Sequence, residues 1–271
     1  MNNSWGSYNT RLHLTQLAMP EVPVESSRRS PFRRAPWPPF CCSSAGLIAP
    51  LLIYVVLVSW QGYRMRDQIN HDAVSYIRNA HYIAQGQFSD SVSGYWSPLL
   101  SWCIAPFVYF GADGLHAARV VLAIWGAGVV LASFWLTRSL VRRSGWLGVL
   151  ALCLIAIDTA RLATSVISPD LVMSAILLAY CSTVTSRRFA RRRSLQILAG
   201  LLGGAAYLAK SYALPFFAVH FSFTICQHFA ARRGARPWRR VALTWATGMF
   251  AFLILSGPWI GVLSSMALKR L

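Results

Sequence analysis

Chemistry in this chain has few carboxylates to draw on, because only eight of its 271 residues are acidic and two of those, Glu21 and Glu25, stand near the start. Carboxylate work in the body must use Asp67, Asp72, Asp90, Asp113, Asp158 or Asp170. Asp67, Asp72 and Asp90 fall in or just before a polar stretch, 70–98, that also holds His71, Tyr76, Arg78, His81, Tyr95 and Trp96. Asp72 and Tyr76 are four apart, so a helix sets them on one face. Beside a bilayer, such an acid can accept a proton from a hydroxyl nucleophile or help hold a metal, and partial desolvation favours the first role. The plainer alternative is a solvated loop acid pairing with Arg64, Arg66 or Arg78.

Two further positions carry charge where charge is costly. Asp170 follows Ser168 and Pro169, a combination that starts a helix: proline is tolerated in the first turn, and an acid there suits the helix dipole. Helix initiation is enough to explain it. Lys210 interrupts an apolar run and is one of only two lysines, the other being Lys269. Its ammonium must snorkel to the interface, meet an acid, for which Asp170 is the candidate, or hold a substrate phosphate. Asp158 and Arg161, three apart, are expected to form an intrahelical pair.

The elements that must position these residues are membrane helices. The chain is 55% apolar, too rich for a water-soluble domain, and its apolar residues fall in runs at about 45–60, 117–137, 146–166, 168–186, 195–209, 211–228 and 241–264. A weaker run, 98–112, is interrupted by Pro106. The expectation is an all-α polytopic bundle of about seven or eight apolar helices over residues 44–271, with juxtamembrane helices in the first polar loop. Residues 1–43, rich in Ser, Pro and Arg, read as a disordered basic cytoplasmic tail.

The net charge of +18 comes almost wholly from arginine. Those arginines lie in short clusters between apolar runs, not along one face, so they report membrane orientation and argue against nucleic-acid binding. Arg138, Arg142 and Arg143, Arg187 to Arg193, and Arg232 to Arg240 are expected on the cytoplasmic side with the tail. Run 45–60 then leads outward, 98–112 stays at the outer surface or dips and returns, and 117–137 crosses inward. In the alternative, 98–112 crosses and 146–166 does not. Either way Asp170 and Lys210 face the exterior with Asp72.

Other chemistries find little support. The chain contains no Gly-rich phosphate loop, zinc-type histidine pair or GxSxG nucleophile signature. Of its six cysteines, Cys103, Cys153, Cys181 and Cys226 lie in apolar runs with no metal-ligand spacing and read as packing residues, while Cys41-Cys42, just before the first span, reads as a neutral membrane-edge pair, with acylation the alternative. The small-residue stretch 198–206 reads as a surface for close helix packing.

In order, the first span, Asp72-x3-Tyr76 running to Gly86-Gln87-Phe88, Tyr95-Trp96-Ser97-Pro98, Ala117-Ala118-Arg119, Ser168-Pro169-Asp170-Leu171 and Gly204 to Lys210 resemble the GT-C membrane glycosyltransferases. The nearest group is that of the protein O-mannosyltransferases and aminoarabinose transferases. The resemblance spans about residues 45–262 and implies a polyprenyl-phosphate-linked sugar donor, a glycan, lipid or protein acceptor, and reaction on the extracytoplasmic face of the cell membrane. It implies catalytic roles for Asp72 and Asp170 and substrate or phosphate contacts for Lys210, Arg78, Arg161, Tyr76 and Trp96. A divalent metal is possible in that group, but Ala73 replaces its second acid. The chain has around half the usual family length, which implies a fragment, a split gene product or an inactive remnant.

Overall fold

The computed structural model describes residues 45–140, 145–230 and 237–268. The basic tail, the Cys41-Cys42 pair, Arg142, Arg143 and Arg232 to Arg236 lie outside the described residues.

The described chain is all-helical: α1 (Ala45–Arg64), α2 (His71–Ala84), α3 (Leu99–Tyr109), α4 (Gly114–Leu140), α5 (Trp146–Ser165), α6 (Asp170–Val184), α7 (Arg193–Ala209), α8 (Ala213–Ala230) and α9 (Pro237–Leu268). Four of them, α1, α4, α5 and α9, are long and apolar enough to cross a membrane. Their exposed faces are greasy, with Leu52, Val56, Ile124, Leu154, Phe250 and Ile254 all bare, as expected of helices solvated by lipid. At 15 and 17 residues, α6 and α7 are about 22 and 26 Å long, short of the roughly 30 Å hydrocarbon core. Crossing by α6, α7 and α8 was expected from the sequence, and these three fall outside the long apolar set.

At 11 residues, α3 reaches only about 16 Å. Of the two routes that the arginines permit, this length suits the one on which α3 does not cross, and α5 is among the four helices long enough to do so. Helix α3 folds back on α2 as a helical hairpin, tied by the Ser101 hydroxyl donating to the Tyr76 carbonyl at 3.0 Å. Both helices stop at a left-handed glycine, Gly86 at φ 77° and Gly111 at φ 88°, two residues past the last helical position. That conformation closes a helix end without the steric cost other residues would meet.

Close contacts explain the small residues. A Cβ on Gly200 of α7 would lie 2.1 Å from the Gly248 carbonyl oxygen of α9, and one on Gly204 would lie 3.0 Å from the Phe252 carbonyl oxygen. The 198–206 stretch thus does pack backbone against backbone, where dispersion substitutes for a hydrophobic drive that lipid does not supply. Gly203 faces the other way, onto the Phe217 ring of α8, which stacks on Phe221 and Phe252. Between α1 and α4, buried Tyr54 donates to the Ala123 carbonyl at 2.7 Å and lies against Gly126.

Candidate functional site

One end of the bundle gathers chain segments that are far apart in sequence. The Arg119 guanidinium, near the start of α4, donates to the Thr164 carbonyl of α5 at 2.7 Å and to the Gln68 carbonyl after α1. The Thr164 hydroxyl lies 3.1 Å from the Gln61 side-chain oxygen of α1. Asn70 grips the α5–α6 turn with both ends of its amide: it accepts from the Ile167 N–H at 2.8 Å and donates to the Ile167 carbonyl at 3.2 Å. These bonds satisfy backbone groups that helix termini leave open, and they fix where α2 and α6 begin.

On that frame the Asp170 carboxylate is held from both sides. Lys210 Nζ donates to Oδ1, and the Ser168 hydroxyl donates to Oδ2 at 2.8 Å. Lys210 ends α7 in extended backbone, and its ammonium also lies 5.4 Å from the Tyr212 ring centroid, within cation–π range. Burial pushes the Asp170 carboxyl up, but the hydrogen bonds from Lys210 and Ser168, with the Lys210 charge, outweigh it and hold the group below the usual carboxylate range. The pair is half-open: Lys210 keeps 28% of its side-chain exposure and Asp170 keeps 50%.

Tyr76 is subject to the charges of both Asp72 and Asp170. It lies on the buried face of α2 with Ala73 and Ala80, and burial, then the charges of Asp72 and Asp170, push its phenol well above the ordinary value. The phenol therefore stays neutral and able to donate. Trp96 packs edge-on against Tyr76 at 5.2 Å, and Tyr95 packs against Trp96 at 4.7 Å. Asp72 itself is exposed in the first turn of α2 and makes no ion pair among the described residues, so neither the partial desolvation nor the pairing with Arg64, Arg66 or Arg78 is found.

The structure thus pairs Asp170 with Lys210 and Tyr76 with Trp96, and the charges of Asp72 and Asp170 both act on Tyr76, but no hydrogen bond or ion pair joins Asp72 to Asp170 or Lys210 among the described residues. It does not bring Arg78 or Arg161 to them. Arg78 is two residues from Tyr76 and so on the opposite side of α2, where it lines a shallow groove with Ile69, Val74 and His81. Arg161 is exposed and lies 3.9 Å from Asp158 in the expected intrahelical pair. Sequence reasoning passed over Arg119 and Asn70 as positioning residues. Arg119 had a signal: a cation inside an apolar run needs partners as much as Lys210 does.

No three of His, Cys, Asp and Glu converge among the described residues. Both oxygens of Asp170 are engaged by Lys210 and Ser168, and Ala73 follows Asp72, so the residues at this end do not fit a divalent metal. No protein-family model matches the chain, and neither does any curated protein or solved structure.

Proposed function

We propose that the chain is a membrane glycosyltransferase of the GT-C kind, which moves a sugar from a polyprenyl-phosphate-linked donor to an acceptor hydroxyl on the extracytoplasmic face. The observation that carries this reading is the half-open Lys210–Asp170 pair at the same end of an apolar bundle as Asp72, an exposed acid with no ion pair among the described residues, with the charges of both acids acting on the neutral Tyr76 phenol. The acceptor is a glycan, a lipid or a protein.

In this reaction Asp72 takes the proton of the acceptor hydroxyl as its oxygen attacks the anomeric carbon. The bond from that carbon to the donor phosphate oxygen breaks, the configuration inverts, and polyprenyl phosphate leaves with the added negative charge. The Lys210 ammonium stabilises that charge as it develops, which is where a preorganised cation is most effective. Asp170 and Ser168 position the lysine. Asp170 is a poor base, since Lys210 and Ser168 favour its ionised form. Tyr76, one turn along α2 from Asp72, packs edge-on against Trp96 and so holds an aromatic pair on that helix, whereas Arg78 and Arg161 have no part in these steps.

A second reading has its own observation. The Lys210 charge is already matched by Asp170, as in a purely structural ion pair, which suits a non-catalytic lipid-binding or assembly subunit. Transfer of labelled sugar from a polyprenyl-phosphate pool to membrane or periplasmic acceptors separates the two. Wild-type protein is expected to form a labelled product and Asp72→Asn to lose it by at least a hundredfold with insertion unchanged, the scale of general-base loss. No product from either, with both inserted, supports the second reading; equal product from both removes Asp72 from the mechanism.

A further inference from the structure

At the end of the bundle opposite Lys210, where α4 and α6 finish and α7 begins, a groove of about 570 Å³ opens between α4, α6 and α7. Its bottom is made of small residues, Gly128, Ala132, Ala175 and Ala179, and its sides of Trp125, Trp135 and Leu202. It begins near the middle of the helices, at Trp125 and Ala175, and ends at Trp135 and Ser186. Ten residues of α4 separate those limits, and nine of α6 follow Ala175 before the turn that holds Ser186, a depth of about 14–15 Å, which is half of a roughly 30 Å hydrocarbon core. The groove therefore has the length of one leaflet.

Its two ends differ in chemistry. The mid-bundle end is apolar. The outer end carries the hydroxyls of Ser182, Thr183 and Ser186, and the Ser139 and Thr185 hydroxyls, 3.2 Å apart, join α4 to α6 there. Arg138 stands at the same level, its guanidinium 5.4 Å from the ring centroid of Trp135, the residue that forms the groove's outer wall. Among the described residues Arg138 has no acidic partner, and Arg187 follows Ser186 directly.

We propose that this groove is a binding site for one anionic phospholipid of the leaflet at the arginine end. An acyl chain lies along Gly128, Ala132, Ala175 and Ala179, and the phosphate meets Arg138 and the Ser182 hydroxyl. A helix from a second copy would fill the apolar half but would leave the cation unmatched, whereas an anionic headgroup satisfies both halves at once. The site lies at the opposite end from Asp72 and Lys210 and is independent of the transfer reaction.

The test is retention of added phosphatidylglycerol or phosphatidylcholine by the purified full chain, read by native mass spectrometry from detergent. The wild type is expected to retain one phosphatidylglycerol at least fivefold better than phosphatidylcholine. Arg138→Gln, an exposed change that spares the core, should remove that preference, and Ala179→Phe should remove retention of both lipids. Equal retention of the two lipids by the wild type would overturn the proposal. So would an Arg138→Gln protein that keeps the preference, or a dimer that occupies the groove, detected by disulfide crosslinking through Ala179→Cys.

Discussion

At the scale of single residues, the decisive contrast is between Asp72 and Asp170, two acids on the same end of the bundle in different states of engagement. Lys210 and Ser168 hold Asp170 ionised, while Asp72 has no cationic partner among the described residues. A carboxyl whose folded pKa is depressed contributes stability above its unfolded pKa and loses it as pH falls through the folded value. The stability gap between wild type and Lys210→Gln should therefore be flat from pH 5 to 8 and shrink below about pH 4, where carboxylates protonate. Because the pair is half-exposed, the gap should be small, about 1 kcal/mol or less. Thermal unfolding in detergent at pH 7 and pH 3 measures it; a gap that widens on acidification would contradict the assignment. The sequence named Asp72 because it stands in a polar stretch with His71, Tyr76 and Arg78, and Asp170 and Lys210 because charge beside apolar sequence demands a partner. It did not separate their roles, since engagement depends on contacts across 40 residues of chain.

At the scale of elements, the fold depends on where backbone comes close to other groups. Asn70 is the clearest case, as one side chain holds both the N–H and the carbonyl of Ile167. Asn70→Ala leaves those groups unpartnered and should cost about 1–3 kcal/mol in unfolding free energy. Sugar transfer should fall as well, since Asn70 sets the start of α2 and with it Asp72. An unfolding midpoint equal to wild type would show that water replaces the amide. The α7–α9 contact makes a sharper prediction: Gly200→Ala forces a methyl against the Gly248 carbonyl, and overpacking of this kind costs about 1–3 kcal/mol. Gly257→Ala in α9, with open space at the added methyl, is the control and should unfold like wild type. Small residues at 198–206 announced this contact in the sequence. Their partner did not show, because Gly248 is an isolated glycine in a long apolar run and only the crossing of α7 over α9 gives it meaning.

For the whole molecule, the account rests on six helix termini that gather at one end, the ends of α1, α5 and α7 and the starts of α2, α4 and α6. Hydropathy was enough to foresee an all-helical bundle, because apolar burial acts on each span separately, while arginine placement gives the expectation of a common face for Asp72, Asp170 and Lys210. The arginines leave two routes for 98–112, and the 11-residue length of α3 suits the one on which it does not cross. Arg78 and Arg161 could not be placed in advance, since either arginine could reach the site from a suitable rotation of its helix, and only packing sets that rotation. The measurement that tests the shared face most directly is labelling of intact cells by a membrane-impermeant maleimide, with single cysteines placed on a cysteine-free background at Asp72, Ser211 and Arg188, all exposed. The account predicts labelling of Asp72→Cys and Ser211→Cys from outside and of Arg188→Cys only after the membrane is opened. Labelling of Asp72→Cys and Ser211→Cys from opposite sides would contradict it.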